Sequence, residues 1–298
     1  MTDHGKRDAR VSRTGTTDGE VACRSLQEAT ALIREDPIRQ GSTLRFGGAG
    51  QVVMTGDLHG NLANFDKLQR FCALEQSPAR CVVLHELIHQ ELTSADQWDL
   101  SIDLLVRAAA WKCEFPDNVF FIQSNHELAQ FRNQEITKGG RSVLYDFERG
   151  VARRFGKHTD RLLDCVSEYI GALPLAARTP NGVFMCHSLP DPLLIPYYDV
   201  TVFDRAPSEA DLSPGGPAYA LVWGRFHSPQ IVDAFAARLG VEHFIVGHTP
   251  QEFGHRVIGR MIILSSEHNH GTFLPIDLSR KYTTEELEAS IRKFVSVP

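Results

Sequence analysis

Residues 50–61 read GQVVMTGDLHGN, a short apolar run followed by a turn that carries an aspartate and a histidine. The apolar run predicts a buried strand, and residues 61–71, NLANFDKLQRF, have apolar side chains at helical spacing. Two further apolar runs, ARCVVL at 79–84 and NVFFIQ at 118–123, predict two more strands. This alternation of strands and helices is typical of an α/β fold with a parallel sheet.

Polar residues follow several apolar runs at the points where the strands are predicted to end. The carboxyl ends of strands in an open α/β fold face one crevice, so side chains from distant parts of the chain meet there. Clustered histidine, aspartate, glutamate and asparagine side chains in such a crevice are suited to binding metal. The stretches are GDLHGN at 56–61, LHELIH at 84–89, SNHE at 124–127, MCHS at 185–188 and VGHTP at 246–250.

The composition of the chain excludes several classes of protein. With 298 residues, 42% of them hydrophobic, the chain is long and apolar enough to bury a sizeable core. A net charge of -6 argues against nonspecific nucleic-acid binding. The sequence has no run of about 18 apolar residues and no apolar signal-peptide core, so we expect a cytoplasmic protein without a membrane partner. The six cysteines lack CxxC spacing, which indicates reduced thiols.

The N-terminal residues 1–24 are rich in Gly, Thr, Arg and Asp and have almost no large apolar side chains. Such a segment cannot offset the entropy of ordering, so we predict a flexible tail. From Ser25 the sequence predicts an amphipathic helix that ends near Pro37. We therefore expect residues 25–298 to form one catalytic domain.

Later parts of the chain combine helical, hairpin and irregular segments. Residues 94–112 and most of residues 135–170 have helical periodicity. The dipeptide Asn181-Gly182 between two apolar runs predicts a β-hairpin. Residues 190–218 combine many prolines, glycines and acidic residues with little periodicity, which predicts a long surface loop or a lid over the site.

The stretch GDLHGN places Asp57 and His59 two residues apart on extended backbone, so that both side chains can reach one cation. Gly56 and Gly60 would let the chain turn sharply on either side. A carboxylate and an imidazole together suit manganese, iron or zinc. A DxH pair also occurs in ordinary surface turns, so a metal site is indicated only when the other four stretches are considered with it.

The stretch SNHE adds groups for a second metal. Asn125 can offer its side-chain carbonyl oxygen as a ligand, while the neighbouring His126 stays free to move protons. His187 and His248 each follow a predicted strand, and their imidazoles could complete the shell of the second metal. A single histidine in such a position is more often a packed or solvent-facing residue, and it is the joint pattern that favours a metal site.

The joint pattern resembles the PPP-type serine/threonine phosphatases of the calcineurin-like metallophosphoesterase superfamily, above all their bacterial and phage branch. The likeness runs from about Ser25 to Leu278. GDLHGN corresponds to the family motif GDxHG, and FPDNVFFIQSNHE at 115–127 corresponds to P-x-N-V-x-x-x-x-GNHE. ALVWGR at 220–225 resembles the segment that carries a phosphate-binding arginine, and VGHTP supplies the last histidine.

The resemblance implies a β-sandwich flanked by helices, with a dinuclear metal site at the strand ends. It implies a hydroxide that bridges the two metals and attacks the phosphorus atom, with His126 protonating the leaving group. It also implies that Arg225 binds phosphate. By the same likeness the first metal is bound by Asp57 and His59, and the second by Asn125, His187 and His248.

The second motif departs from the family. Where the family has GDxxDRG, residues 85–91 read HELIHQE. Glu86 stands at the position of the metal-bridging aspartate, His89 at that of the orienting aspartate and Gln90 at that of the arginine. A neutral His89 could hydrogen-bond His126 but would not stabilise its cationic form as a carboxylate does. Gln90 cannot replace the bidentate, charge-assisted contact of arginine with phosphate.

The segment HELIH also matches HExxH, the zinc-protease motif, in which two histidines one helical turn apart bind zinc and the glutamate acts as base. That motif requires a helix, whereas here it directly follows the strand-like run ARCVVL. The protease is therefore the least favoured alternative. His85 or His89 could instead join or perturb the dinuclear site.

These expectations favour a dinuclear metal-dependent phosphoesterase that uses two manganese, iron or zinc ions to hydrolyse phosphomonoesters. The expected partner is a phosphorylated protein or a small phosphoester, and the sequence leaves the oligomeric state open. Two alternatives remain. Relatives with the GHTP motif include dinucleoside polyphosphate hydrolases, and the altered second motif would suit a degenerate phosphatase that binds phosphorylated partners without turnover.

Overall fold

Two β-sheets pack face to face and enclose an apolar layer. The structure, a computed structural model, describes residues 18–94 and 96–298. The strands are β1 (Arg39–Gln40), β2 (Thr43–Arg45), β3 (Gln51–Thr55), β4 (Arg80–Leu84), β5 (Val119–Phe121), β6 (Thr137–Lys138), β7 (Arg141–Ser142), β8 (Ala176–Arg178), β9 (Val183–Cys186), β10 (His243–Val246), β11 (His255–Ile258), β12 (Met261–Leu264), β13 (Thr272–Asp277) and β14 (Arg292–Lys293).

The strand orders show how the sandwich is built. One sheet has the order β14-β13-β3-β4-β5, and the other has the order β1-β2-β8-β9-β10-β12-β11. Strands β3, β4 and β5 run parallel, and so do β9, β10 and β12 in the second sheet. β6 and β7 form a separate antiparallel hairpin. The predicted α/β fold, a β-sandwich flanked by helices, is confirmed.

Helices cover the outer faces of both sheets. They are α1 (Gly19–Arg34), α2 (Leu62–Cys72), α3 (Ile102–Glu114), α4 (Asn125–Phe131), α5 (Val143–Phe155), α6 (Thr159–Ala172), α7 (Glu209–Leu212), α8 (Pro217–Trp223), α9 (Pro229–Leu239) and α10 (Thr284–Ser290). Helices α1, α2, α3, α5 and α6 share a core with the five-stranded sheet, and α8 and α9 share one with the seven-stranded sheet. Within the described residues, no helix is long and apolar enough to cross a membrane.

Alternate residues of the central strands face opposite sides of each sheet. In β3, Val52 and Met54 face the layer between the sheets, whereas Val53 faces the helices. In β10, Ile245 faces the layer between the sheets, whereas Phe244 faces the helices. Both faces of these strands are buried, which explains why the sequence shows continuous apolar runs there rather than a polar and apolar alternation.

The carboxyl ends of the parallel strands in both sheets lie at one edge of the sandwich. A β-bridge between Asp57 and Ser265 joins the end of β3 to the end of β12. The backbone N–H of Ser266 also donates to the carbonyl oxygen of Asp57 at 3.1 Å. The loops that follow the strands therefore meet at this edge, as expected for a site built at strand ends.

The two glycines of GDLHGN have different roles. Gly60 has a φ of +77°, in the left-handed region that glycine adopts without strain. A Cβ at Gly56 would lie 2.1 Å from the carbonyl oxygen of Leu264, at the end of β12. Gly56 is therefore needed because the two sheets approach each other closely, and not because the chain turns there as predicted.

The first helix begins earlier than predicted. It starts at Gly19, and the side chain of Asp18 caps its first turn. Ala22 and Cys23 are fully buried in the core. The predicted tail is therefore wrong from Gly19 onward. The segment has few large apolar side chains, but its small side chains are buried in the core. The rest of that prediction, residues 1–17, lies outside the described residues.

Two internal predictions have different outcomes. The hairpin at Asn181-Gly182 is confirmed, because β8 and β9 pair antiparallel on either side of it. The helix predicted over residues 94–112 begins only with α3. Residues 96–101 form a loop, and the Ser101 hydroxyl at its end accepts the backbone N–H of His89 at 3.0 Å. This tertiary contact supports the second motif and outweighs the helical periodicity of the preceding residues.

Residues 190–218 lie largely at the surface, as predicted, but short helical turns and buried aromatic residues hold them against the fold. They contain the 3-10 turns Ile195–Tyr197 and Val200–Asp204 as well as α7. Tyr198 is buried, and its ring contacts Phe235 of α9 edge-on with the centroids 5.3 Å apart. The short helical turns bury isolated aromatic residues, a pattern without the periodicity that sequence analysis detects.

We expect Gly56→Ala to lower the free energy of unfolding by about 1–3 kcal/mol, because the new methyl group would meet backbone atoms that cannot easily move. Gly47 provides the matched control, since a Cβ there has nothing within 4 Å. Gly47→Ala should change stability by less than about 1 kcal/mol. Urea unfolding measures both, and equal stability of the two variants would contradict a close approach of the sheets at Gly56.

Candidate metal centre

The five polar stretches meet at one end of the sandwich. Each predicted metal-ligating residue lies within a few residues of the end of a strand, and all are buried except His59, which is partly buried. The residues are Asp57 and His59 after β3, Glu86 after β4, Asn125 after β5, His187 after β9 and His248 after β10.

One set of ligand atoms comes from Asn125, His187 and His248. The Oδ1 atom of Asn125 lies 2.6 Å from Nε2 of His187 and 2.9 Å from Nδ1 of His248. These two imidazole nitrogens are 3.1 Å apart. Atoms that share one ion at bond lengths of about 2.0–2.2 Å stand about 3 Å from one another, so the set is arranged as ligands of one cation would be.

A second set of ligand atoms surrounds Glu86. Its Oε1 lies 3.6 Å from Nε2 of His59 and 3.7 Å from Nε2 of His126. The Nδ1 atom of His59 is 2.9 Å from the carbonyl oxygen of Ile88, so Nδ1–H donates there and Nε2 presents its lone pair. The other oxygen of Glu86, Oε2, is 3.7 Å from Nε2 of His187. The carboxylate of Glu86 therefore faces both sets.

Asp57 lies beside both loops. Its two carboxylate oxygens accept the backbone N–H of His248 at 2.9 and 3.0 Å. Its Oδ1 is 3.8 Å from Nδ1 of His187 and 3.9 Å from Nδ1 of His85. The Nδ1 atoms of His85 and His187 are 2.9 Å apart. Burial lowers the pKa of His85 to about 4, so its ring is neutral at physiological pH.

Backbone strain is concentrated at this site. The φ angles of His59, Glu86, His89 and His248 are 41°, 51°, 64° and 66°. The left-handed region costs a non-glycine residue on the order of 1–3 kcal/mol and persists where the surrounding structure enforces it. The backbone N–H of His59 donates to the carbonyl oxygen of Glu86 at 2.9 Å, so the first two loops hold each other in place.

The loop that carries Glu86 is anchored by Glu127. Its Oε1 accepts the backbone N–H groups of Leu87 at 2.6 Å and Ile88 at 3.4 Å, and its Oε2 accepts the hydroxyl of Ser124. Ser124 also caps α4, and its φ of -131° is ordinary extended backbone. Serine in place of the glycine of the family motif therefore introduces no strain at this turn.

The two buried carboxylates of the site, Asp57 and Glu86, lack a cationic side chain as a direct partner within the described residues. Burial, followed by the charge of Glu267, raises the pKa of Asp57 to about 8. Burial and the charge of Asp57 raise the pKa of Glu86 well above its ordinary value. Burial lowers the pKa of His59 and of His248 to about 3, so both are neutral. In the part of the chain that the structure describes, no lysine or arginine forms an ion pair with Asp57 or Glu86. A metal ion fits this donor set.

A hydrogen-bonded chain leads from His126 to the surface of α4. The amide N–H of Gln130 donates to Glu148 at 3.4 Å, which leaves Oε1 of Gln130 to accept Nε2–H of His89 at 2.9 Å. The Nδ1 atom of neutral His89 then accepts Nδ1–H of His126 at 2.8 Å. The hydrogen bond predicted between His89 and His126 is confirmed. It leaves Nε2 of His126 facing the site.

Arg225 lies beside the cluster, two residues after the end of α8. It is half-buried, and its charge is the main neighbouring charge that lowers the pKa of His248. Within the described residues Arg225 makes no hydrogen bond or ion pair. Its guanidinium is therefore available to an anion bound at the site.

Lys138 is a cation near the site that sequence analysis missed. It lines a small pocket together with the exposed Gln90. Its charge favours the ionised forms of Asp57 and Glu86. The one sequence signal is TKGGR at 137–141, where two glycines predict a tight turn, but nothing in that stretch indicates that the turn lies against the second motif.

The segment HELIH forms an irregular loop rather than a helix. Nδ1 of His85 faces His187, and Nδ1 of His89 faces His126, so the two histidines have different partners. The zinc-protease alternative is therefore wrong, because its motif requires both imidazoles on one helical face.

Known proteins resemble this chain in sequence and in fold. A family model for calcineurin-like phosphoesterases matches residues 50–252. The fold is similar to that of a protein serine/threonine phosphatase from Saccharomyces cerevisiae with similarity to the human phosphatase PP5, at 17% identity over 95% of this chain and 91% of that chain, with a TM-score of 0.66. It is also similar to a cold-active protein-tyrosine phosphatase of a psychrophilic Shewanella species, at 14% identity over 84% of this chain and 80% of that chain, with a TM-score of 0.54.

The family match spans most of the chain and every predicted site residue from Asp57 to His248, and the chain therefore belongs to the calcineurin-like phosphoesterase family.

Proposed function

We propose that the chain is a dinuclear metal-dependent phosphoesterase that hydrolyses phosphomonoesters. Its substrate would be phosphoserine or phosphothreonine in a protein, or a comparable small phosphoester, as in the PPP-type phosphatases. This proposal rests on the position of the Glu86 carboxylate. Its Oε1 faces His59 and His126, and its Oε2 faces His187. A carboxylate placed between two sets of ligand atoms can bind two neighbouring cations at once.

The donor atoms divide between two cations. Imidazole and carboxylate ligands together fit manganese, iron or zinc. When bound, two such ions would lower the pKa of a water molecule and neutralise charge on the phosphoryl oxygens. Asp57, His59 and Glu86 would hold one ion, and Glu86, Asn125, His187 and His248 would hold the other.

Arg225 and Lys138 would bind the phosphoryl group from outside the metal centre. The guanidinium of Arg225 has no partner within the described residues, so it can donate two parallel hydrogen bonds to phosphate oxygens. Gln90 stands where the family has a second arginine, and it cannot supply charge. Lys138 lies in the same pocket as Gln90 and would supply that charge as a less directional ammonium group.

His126 would protonate the leaving oxygen. Burial lowers the pKa of His126, so the free site holds it neutral. A phosphate dianion beside the ring favours the cationic form, because opposite charge stabilises it. Nδ1 of His89 can accept the Nδ1–H of His126 in either form, since His89 keeps its own proton on Nε2 against Gln130. His126 can then donate Nε2–H to the alkoxide without turning its ring.

Protein loaded with manganese or zinc is expected to hydrolyse p-nitrophenyl phosphate and a phosphoserine peptide. A chelator should abolish the activity, and added metal should restore it. Glu86→Gln should lower kcat/KM by at least about 100-fold, because the bridging anion is lost. His270→Ala removes an exposed histidine outside the cluster and should leave kcat/KM unchanged.

Two results of the same assay would contradict the proposal and identify a different function. Release of nucleoside diphosphate from a symmetric dinucleoside tetraphosphate, without action on phosphomonoesters, would identify a dinucleoside polyphosphate hydrolase. Phosphate binding without turnover on any substrate would identify a degenerate phosphatase. In that case the triple variant Glu86→Asp, His89→Asp, Gln90→Arg should gain activity, because it restores the family motif.

Removing either phosphate-binding cation should weaken catalysis by different amounts. Arg225→Ala should lower kcat/KM on the order of 100-fold. Lys138→Ala should lower it about 10-fold, because an exposed ammonium is screened by solvent and salt. Arg256→Ala in β11 and Lys157→Ala after α5 remove exposed charges elsewhere and are the matched controls. Equal kcat/KM values for Lys138→Ala and Lys157→Ala would contradict the role of Lys138.

A further inference from the structure

We propose that His85 is a positioning residue of the metal centre, which holds His187 in the tautomer whose Nε2 binds the cation shared with Asn125 and His248. This inference rests on the proposed dinuclear centre and deepens it. His85 is the first residue of HELIHQE, where the family motif GDxxDRG has glycine. The ligand set implied by the family therefore gives no role to a side chain at this position.

The His85 ring is fixed on the side away from the site. It is buried just after β4, and its Nε2 lies 2.9 Å from the carbonyl oxygen of Thr55. A carbonyl oxygen can only accept, so Nε2 carries the hydrogen and Nδ1 of the neutral ring has the lone pair. A Cβ on Gly247 would lie 2.6 Å from Cε1 of His85, so the ring also packs directly against backbone.

The lone pair of His85 determines where His187 carries its hydrogen. The two Nδ1 atoms are 2.9 Å apart, a hydrogen-bond distance at which two lone pairs would repel each other. Nδ1 of His187 must therefore be the donor, and Nε2 of the neutral His187 ring has the lone pair. That lone pair faces Oδ1 of Asn125 at 2.6 Å and Nδ1 of His248 at 3.1 Å, and such contacts without a hydrogen between the atoms are favourable only when the atoms share a cation.

The result is a hydrogen-bonded chain from the metal site to the backbone of β3. Metal-binding histidines usually donate their second N–H to a carboxylate, a carbonyl or water, and loss of that partner weakens metal binding about 10- to 100-fold. In this protein the neutral imidazole of His85 is the group that accepts the second N–H of His187. Oδ1 of Asp57 is 3.8 Å from Nδ1 of His187, beyond hydrogen-bond distance, so His85 is the group that holds this proton.

Two substitutions of nearly equal size separate the hydrogen bond from packing. Asn places Oδ1 where His places Nδ1, so His85→Asn keeps an acceptor for His187, whereas His85→Leu does not. In zinc titration calorimetry of metal-free protein, we expect His85→Leu to weaken one of two zinc equivalents about 10- to 100-fold, with the other unchanged. His85→Asn should remain within about threefold of the unsubstituted protein at both sites.

His243 provides the control for removal of a buried histidine. It lies at the start of β10, and its Nε2 is 2.9 Å from the carbonyl oxygen of Tyr282, as that of His85 is from Thr55. His243→Leu should leave both zinc affinities unchanged. If His85→Leu and His85→Asn bind zinc with equal affinity, the proposed role of His85 is overturned. The hydrogen bond to His187 would then have no effect on metal binding, and His85 would act through packing alone.

The unsubstituted protein also tests the tautomer directly. In NMR of protein with nitrogen-labelled histidine and an NMR-active cadmium isotope, we expect metal coupling to Nε2 of His187 and none to His85. Coupling to Nδ1 of His85 would make it a direct ligand and would overturn the positioning role while leaving the dinuclear centre intact. Absence of any bound metal would overturn both this inference and the proposed function.

Discussion

The candidate site depends on the burial of two carboxylates, Asp57 and Glu86, at the ends of neighbouring strands. Asp57 and Glu86 are surrounded by imidazoles that burial keeps neutral, and no lysine or arginine within the described residues pairs with either carboxylate. Burying such groups is unfavourable unless positive charge or protons compensate. Burial raises the pKa of both carboxylates, which favours bound protons as one form of compensation. Metal ions would displace those protons, so binding and the stability of the site are linked.

The sandwich provides the geometry for this arrangement. Parallel strands from both sheets end at one edge, and the close approach of Gly56 to Leu264 brings the two edges together. The loops then hold each other: the N–H of His59 bonds to the carbonyl of Glu86, and Glu127 accepts the next two N–H groups of that loop. These contacts enforce left-handed backbone at residues that would otherwise avoid it. Rigid loops of this kind hold ligand atoms in place before any ion binds.

Much of the site could be predicted from the order of the polar stretches. Each stretch follows an apolar run, and the rule that strand ends converge is enough to bring Asp57, Glu86 and His248 together. The contact of His85 with His187 could not be predicted, because it joins residues 102 positions apart and the family motif has glycine at the first of them. Lys138 could not be predicted as a site residue, because it lies in the β6–β7 hairpin and the sequence does not show where that hairpin packs.

The fold predictions were wrong or incomplete where contacts with distant parts of the chain determine local structure. The N-terminal helix extends back to Gly19 because alanine and cysteine side chains pack in a core that composition does not reveal. Residues 190–218 lack periodicity and lie largely at the surface, yet buried aromatic residues such as Tyr198, which contacts Phe235 of α9, give them a defined structure. In both cases the stabilising surface is contributed by distant parts of the chain, so a local sequence window gives no signal.

If Glu86 bridges two metal ions, anomalous diffraction from crystals of metal-loaded protein should locate both of them at the absorption edges of manganese, iron or zinc. We expect two peaks about 3.5–4 Å apart, with one oxygen of Glu86 next to each. A single ion bound away from Glu86, or no ion among Asp57, Glu86 and His187, would show that Glu86 is not a bridging ligand.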